Sequence, residues 1–127
     1  MVRIPRAAVV LVCILLPAIT CQAMDRWSAL SMIESGNNDR AVGSHGEISR
    51  FQIRPELWPG GNSQNMGDAL AAAREVMVPR LEAFEKSHGR PATDVEFYIL
   101  WNAPWTVDHP SKTVMERAVR FSNLVRR

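Results

Sequence analysis

The stretch Trp27-Ser28-Ala29-Leu30-Ser31-Met32-Ile33-Glu34-Ser35-Gly36 decides how the rest of the chain is read. Trp27, Leu30 and Ile33 recur at every third residue and Gly36 follows them, the pattern of a short amphipathic helix closed by a glycine. This puts Glu34 at the C-terminal end of the helix. From Ser35 to Gly46 the chain is polar and turn-rich, with Asn37, Asn38, Asp39, Gly43 and Gly46, before Ile48, Phe51 and Ile53 return to the core. That segment reads as a loop or small hairpin folding back on the first helix.

Further along, Pro55, Pro59, Gly60 and Gly61 break the chain. Met66, Ala69, Leu70, Ala73, Val76, Met77, Leu81 and Phe84 then keep helical period up to Gly89, with His88 as a helix-end residue. Pro79 falls inside this longest helix, where it removes a backbone hydrogen bond and predicts a kink near Glu75. Thr93 and Glu96 form a capping-box pattern that opens a third helix through Trp101. Asn102 to Pro110 reads as a loop carrying Pro104 and Trp105, and Val114, Met115, Ala118, Val119 and Val125 mark a last helix. The expectation is one mainly α domain of α+β type, with a small hairpin or loop region around residues 41 to 53.

Upstream of Trp27 the chain changes character. Arg3 and Arg6 precede an uncharged apolar run from Ala7 to Leu16, and small residues follow near Cys21-Gln22-Ala23, which reads as a secretory signal peptide over residues 1–23. The run is about half of the roughly 20 residues that a membrane-spanning helix needs, so a permanent anchor is the weaker reading. The domain then runs from residue 24 to 127, and an exported protein of the periplasm or cell envelope is expected. Without Arg3 and Arg6, 13 basic side chains face 13 acidic ones. The excess charge belongs to the leader, and no basic run interleaved with aromatics remains, which argues against nucleic acid as a partner.

Cys13 and Cys21, the chain's 2 cysteines, also lie in the leader, so the domain is expected to be held by packing and not by a disulfide. A lipoprotein acylated at Cys21 is the rival reading, for which Ala18 and Thr20 fit poorly. His45, His88 and His109 are far apart and show none of the close spacings of zinc sites, so no metal and no cofactor is expected. A composition of 46% hydrophobic and 22% charged residues excludes collagen, coiled coil and a disordered tail.

A glutamate at a helix end is usually a solvated one, and a useful acid must be partly buried to raise its pKa. Spacing singles out Glu34. Glu34-Ser35 is followed by Gly46, then by Phe51-Gln52-Ile53, and downstream by Trp101-Asn102-Ala103-Pro104 on an aromatic helix. In these three blocks, spread over Trp27 to Trp105, the sequence resembles the soluble lytic transglycosylase domain, the goose-lysozyme-like branch of the lysozyme superfamily.

The resemblance implies a lysozyme-like fold and a peptidoglycan-cleaving activity with Glu34 as the sole catalytic acid. Ser35, Gln52, Trp101, Asn102 and Trp105 are then the expected substrate-binding residues, with Trp58 a further flat apolar surface for a sugar ring. Trp101 reads more readily as core, and Asn102 equally as a helix cap. Trp101 stands where the family usually has tyrosine, so a hydrogen bond from that position to the acid has to come from elsewhere. Pro104 replaces a glycine, and Glu47, Ser49 and Arg50 also depart from the family pattern.

Glu47 reads first as a loop charge paired with Arg50 or Arg54, and otherwise as a second carboxylate that would activate water. Asp39 reads as a turn former and Ser35 as a structural hydroxyl in preference to a nucleophile. The expected activity is non-hydrolytic cleavage between N-acetylmuramic acid and N-acetylglucosamine with a 1,6-anhydro product. A muramidase or chitinase-type hydrolase and a non-catalytic glycan-binding or assembly module are the alternatives. Expected partners are glycan strands and cell-envelope proteins, with the chain a monomer.

Overall fold

The structure, a computed structural model, describes residues 23–61 and 65–126. Apart from Ala23, the segment expected to be a signal peptide, with Cys13 and Cys21, lies outside the described residues. Four α-helices make up most of what is described: α1 (Arg26–Ser35), α2 (Met66–His88), α3 (Asp94–Asn102) and α4 (Lys112–Arg126), with a 3-10 turn at Pro104–Thr106. The protein is mainly helical. The hairpin expected around residues 41 to 53 is reduced to two isolated bridges, Val42 with Ile48 and Ile48 with Ile53, and no strand forms among the described residues. Positive φ at Gly46, Ser49 and Gln52 turns the backbone out of extended geometry every three residues, which leaves no room for a ladder.

α1 begins where Asp25 caps it, its carboxylate accepting from the backbone N–H of Trp27 at 2.9 Å and of Ser28 at 3.0 Å. It stops at Gly36, whose φ of 64° lets the N–H turn back to Met32 and Ser31 carbonyls. α3 opens with the expected capping box: Thr93 Oγ1 accepts from Glu96 N–H, and Glu96 Oε1 accepts from Thr93 N–H at 3.0 Å. Arg90, donating to the same carboxylate, holds the Glu96 pKa down at about 2. α2 accommodates Pro79 within a single helix and ends at His88 against Gly89.

α3 is the centre of the fold. It packs most extensively against α4 and also against α2, while α1 packs on α4. Phe97, Tyr98, Ile99 and Leu100 are all buried, so α3 is apolar around nearly its whole circumference, as a central helix must be. Phe121 of α4 stacks on Phe97 with centroids 5.6 Å apart and meets Tyr98 at the same distance. Each such large side chain, once buried, contributes about 1.5–3 kcal/mol. The inward face of α4 differs from the expected one: Ala118, Phe121 and Ser122 are buried, whereas Met115 and Val119 are exposed. Met66, at the first turn of α2, is likewise exposed.

One ion pair ties two helices together and another closes a loop. Arg26 of α1 donates to Asp94 of α3 at 2.8 Å and to the Ala92 carbonyl at 3.0 Å, which fixes the two helix N-termini side by side. Arg50 binds Asp39 through two parallel hydrogen bonds of 2.7 and 2.9 Å, closing the loop that follows α1. Asp39 is therefore more than a turn former, and Arg50 is taken by it and not by Glu47.

Candidate functional site

Glu34 lies on the last turn of α1, and its carboxyl opens onto a cleft of about 550 Å³. The phenol of Tyr98 donates to Glu34 Oε1 at 2.9 Å. No buried side-chain oxygen or nitrogen among the described residues lacks a partner, so Oε2, which has none there, is reachable from the cleft. Burial raises the Glu34 pKa above its ordinary value near 4.5, and the negative charge of Glu47 acts in the same direction. The carbonyl end of α1 further disfavours a negative charge at this position. The Tyr98 hydrogen bond and the positive charge of Arg117 pull the other way, and burial prevails. Tyr98 is the donor and Oε1 the acceptor, which leaves the cleft-facing Oε2 to carry the proton when the acid is neutral.

The other walls come from four parts of the chain. Gln52 lines the cleft from the loop after α1, in a left-handed conformation at φ 52°. Its Nε2 is spent on the carbonyls of Ala41 at 3.2 Å and Ser49 at 2.9 Å, which leaves the amide oxygen for the cleft. Glu47 lines the same wall, its Oε2 accepting from His45 N–H at 3.0 Å. Hydrogen bonds from backbone N–H groups, its own first, keep its pKa below the usual carboxylate value. Glu47 is thus a cleft residue, with Arg54 as its basic neighbour.

Gly43 makes this wall possible. A β-carbon there would overlap Glu47 Oε2 and lie 2.7 Å from Gln52 Oε1. Both groups are anchored by the hydrogen bonds just given, so neither swings away without losing one. Gly43→Ala is expected to cost about 1–2 kcal/mol in urea unfolding, the equivalent of one or two lost hydrogen bonds. An unchanged midpoint would mean that the two side chains are held less firmly than their bonds imply.

At the end of α3, Trp101 and Asn102 face the cleft, and the 3-10 turn adds Pro104 and Trp105. Trp101 does both things its sequence position suggested, packing on the core with one side and lining the cleft with the other. Trp105 is 77% exposed, an indole face presented to solvent at the mouth. Arg80 of α2 donates to the carbonyls of Leu100 at 2.8 Å and Trp101 at 3.0 Å, so an arginine, not Asn102, satisfies the C-terminal end of α3.

Two expected residues lie elsewhere. Ser35 does not line the cleft: its hydroxyl donates toward the carbonyls of Arg50 at 2.8 Å and Ser31 at 3.3 Å and accepts from Asn38 N–H, which pins the loop to α1. Trp58 packs on the core and covers Gly61. Conversely Tyr98, Gly43, Arg80 and Arg117 belong to the site and were not among the expected residues. Tyr98 had a signal: it is the only tyrosine of the chain and precedes Trp101 and Asn102 by one helical turn, on the same side of α3. No group of three or more metal-binding side chains converges among the described residues.

The arrangement is a carboxyl, partly dry and fixed by one hydrogen bond, at the side of an open groove with indole and amide walls. Such a group can protonate a poor leaving group held in the groove. No family model, curated protein or solved structure is matched by this chain.

Proposed function

We propose that this chain is a glycan-cleaving enzyme of lysozyme-like fold, a lytic transglycosylase acting on peptidoglycan, with Glu34 as general acid and then base. The observation that carries the reading is the environment of Glu34: a carboxyl with a raised pKa, oriented by Tyr98 and opening on a cleft shared with Gln52, Asn102, Trp101 and Trp105. A glycosidic oxygen leaves only when protonated, and Glu34 Oε2 supplies that proton. As the C1–O bond breaks, the N-acetyl group of the sugar stabilises the positive anomeric carbon. The Glu34 carboxylate then accepts the proton of the 6-hydroxyl, whose oxygen bonds to C1 and closes the 1,6-anhydro ring. One titrating carboxyl serves both steps.

Mass spectrometry of digested peptidoglycan tests this. Fragment ends lighter by one water than hydrolysed ends are the expected result, and reducing ends alone would exclude it. A second reading has an observation of its own, since Glu47 lines the same cleft and its charge is felt by Glu34. If Glu47 activates water, the products carry reducing ends and Glu47→Gln abolishes turnover. For the transglycosylase, Glu47→Gln keeps the anhydro product.

Tyr98 provides a test by pH. Its hydrogen bond favours the ionised form of Glu34, so Tyr98→Phe raises the Glu34 pKa further and keeps the acid protonated to higher pH. The alkaline limb of the kcat/KM profile should move upward, while the rate at the optimum falls roughly tenfold through loss of orientation. A downward shift of that limb would mean that Tyr98 does not stabilise the carboxylate.

A further inference from the structure

We infer that Arg54, Arg80 and Arg117 form a carboxylate-binding site on the walls of the cleft, which selects glycans bearing an acidic substituent over neutral ones. The inference deepens the glycan-cleaving reading above and rests on it. Outside the cleft, Arg26, Arg50, Arg90 and Arg126 each have a carboxylate within ion-pair distance, Arg74 lies over the Trp27 ring, and Arg40 and Arg120, which have no such carboxylate, are exposed to solvent. Among the described residues, the three arginines that line the cleft have no such partner.

Arg80 is half-buried and gives its Nη1 to two neutral carbonyls, which satisfies that nitrogen without balancing the charge of the guanidinium. Burial, and then the like charge of Arg54, make its protonated form less favourable than in water. Arg117 approaches from α4 on the side of Glu34 and Tyr98, both of which feel its charge. Of the three carboxyls on the cleft walls, Glu34 has its pKa raised by burial, Glu47 accepts from His45 N–H, and Glu56 is exposed. None of these three carboxyls lies within ion-pair distance of Arg54, Arg80 or Arg117.

Like charges gathered around a cavity repel one another, and an anion placed between them relieves that cost. Guanidinium groups match carboxylate oxygens in both charge and geometry. In a glycan strand that carboxylate has two sources, the lactyl ether of N-acetylmuramic acid and the peptide stem attached to it.

The test measures binding to full-length Glu34→Gln protein by titration calorimetry. Three probes are used: a neutral N-acetylglucosamine tetramer, an alternating N-acetylglucosamine and N-acetylmuramic acid tetramer without peptide, and the same tetramer with its stems. The acidic tetramers are expected to bind about tenfold tighter than the neutral one, a preference that falls with salt. Adding Arg54→Gln or Arg117→Gln should remove most of it while affinity for the neutral tetramer stays within about twofold. Both variants leave the Arg80 bonds to α3 in place. Preference for the bare acidic tetramer assigns the lactyl carboxylate, and preference that needs the stems assigns the peptide. Equal binding of neutral and acidic tetramers, or a preference that survives both variants, overturns the inference, and leaves the enzymatic reading standing if the unsubstituted protein still forms anhydro ends. Selective binding without any cleavage by the unsubstituted protein does the reverse, and no binding of any tetramer overturns both.

Discussion

Replacing Glu34 by Gln is expected to lower the rate of glycan cleavage by roughly 10² to 10⁴-fold while the chain folds as before. Glutamine keeps the shape of the side chain and can still accept from Tyr98 through its amide oxygen, so the geometry survives. What is lost is the titrating proton on the cleft side. The same substitution has an expected stability signature. A carboxyl whose folded pKa is raised contributes its full share of stability below the unfolded value near 4.5 and loses it as pH rises through the folded value. Above that window the unsubstituted protein holds a disfavoured ionised group, and Glu34→Gln does not. The variant should therefore unfold at an equal or higher temperature than the parent at neutral pH, and the advantage should shrink in acid. A variant both inactive and less stable at neutral pH would point to Glu34 as a structural group.

The largest loss of stability is expected from Phe121→Ala, at about 3–5 kcal/mol in urea unfolding. The ring is fully buried, stacks on Phe97 and backs Tyr98, so its removal opens a void between α3 and α4 at the centre of the packing. For a domain whose whole stability is on the order of 5–15 kcal/mol, that is a large fraction. Because Phe121 supports the ring that orients Glu34, the milder Phe121→Leu should keep the fold and still lower activity, by allowing the phenol to shift. A loss below about 1 kcal/mol for the alanine variant would mean that α3 and α4 close over the void.

How far these features could be read in advance depended on whether a residue type has one default environment. Leu30, closed off by Gly36, and the pair Thr93 and Glu96 declared α1 and the start of α3 because cap chemistry is local. The inward side of α4 was less legible: Val114, Met115, Ala118, Val119 and Phe121 form adjoining stripes, and only the ring of Phe97 opposite selects the one containing Phe121. In the cleft, Glu34, Gln52, Trp101 and Asn102 were reached through the motifs that carry the family resemblance, and Trp105 through the need of a sugar cleft for a flat apolar face. Arg80 and Arg117 were not, since a long cation on a helix is solvated by default and only tertiary packing turns it inward. Ser35 misled for the opposite reason, as a hydroxyl beside the acid that proved to be occupied by carbonyls of its own helix and of the loop that follows.

Pro79 has a mechanical consequence. It has no N–H to give to the carbonyl of Glu75, so α2 lacks one rung of its ladder at that turn. Val76 and Arg80, the α2 residues that border the cleft, lie within and just after this turn, and Arg80 grips the end of α3 that carries Trp101 and Asn102. A rod bends where it is thinnest. The cleft wall is therefore built on a section of the longest helix that Pro79 leaves one backbone hydrogen bond short, and the Arg80 bonds couple that section to the rim formed by Trp101 and Asn102.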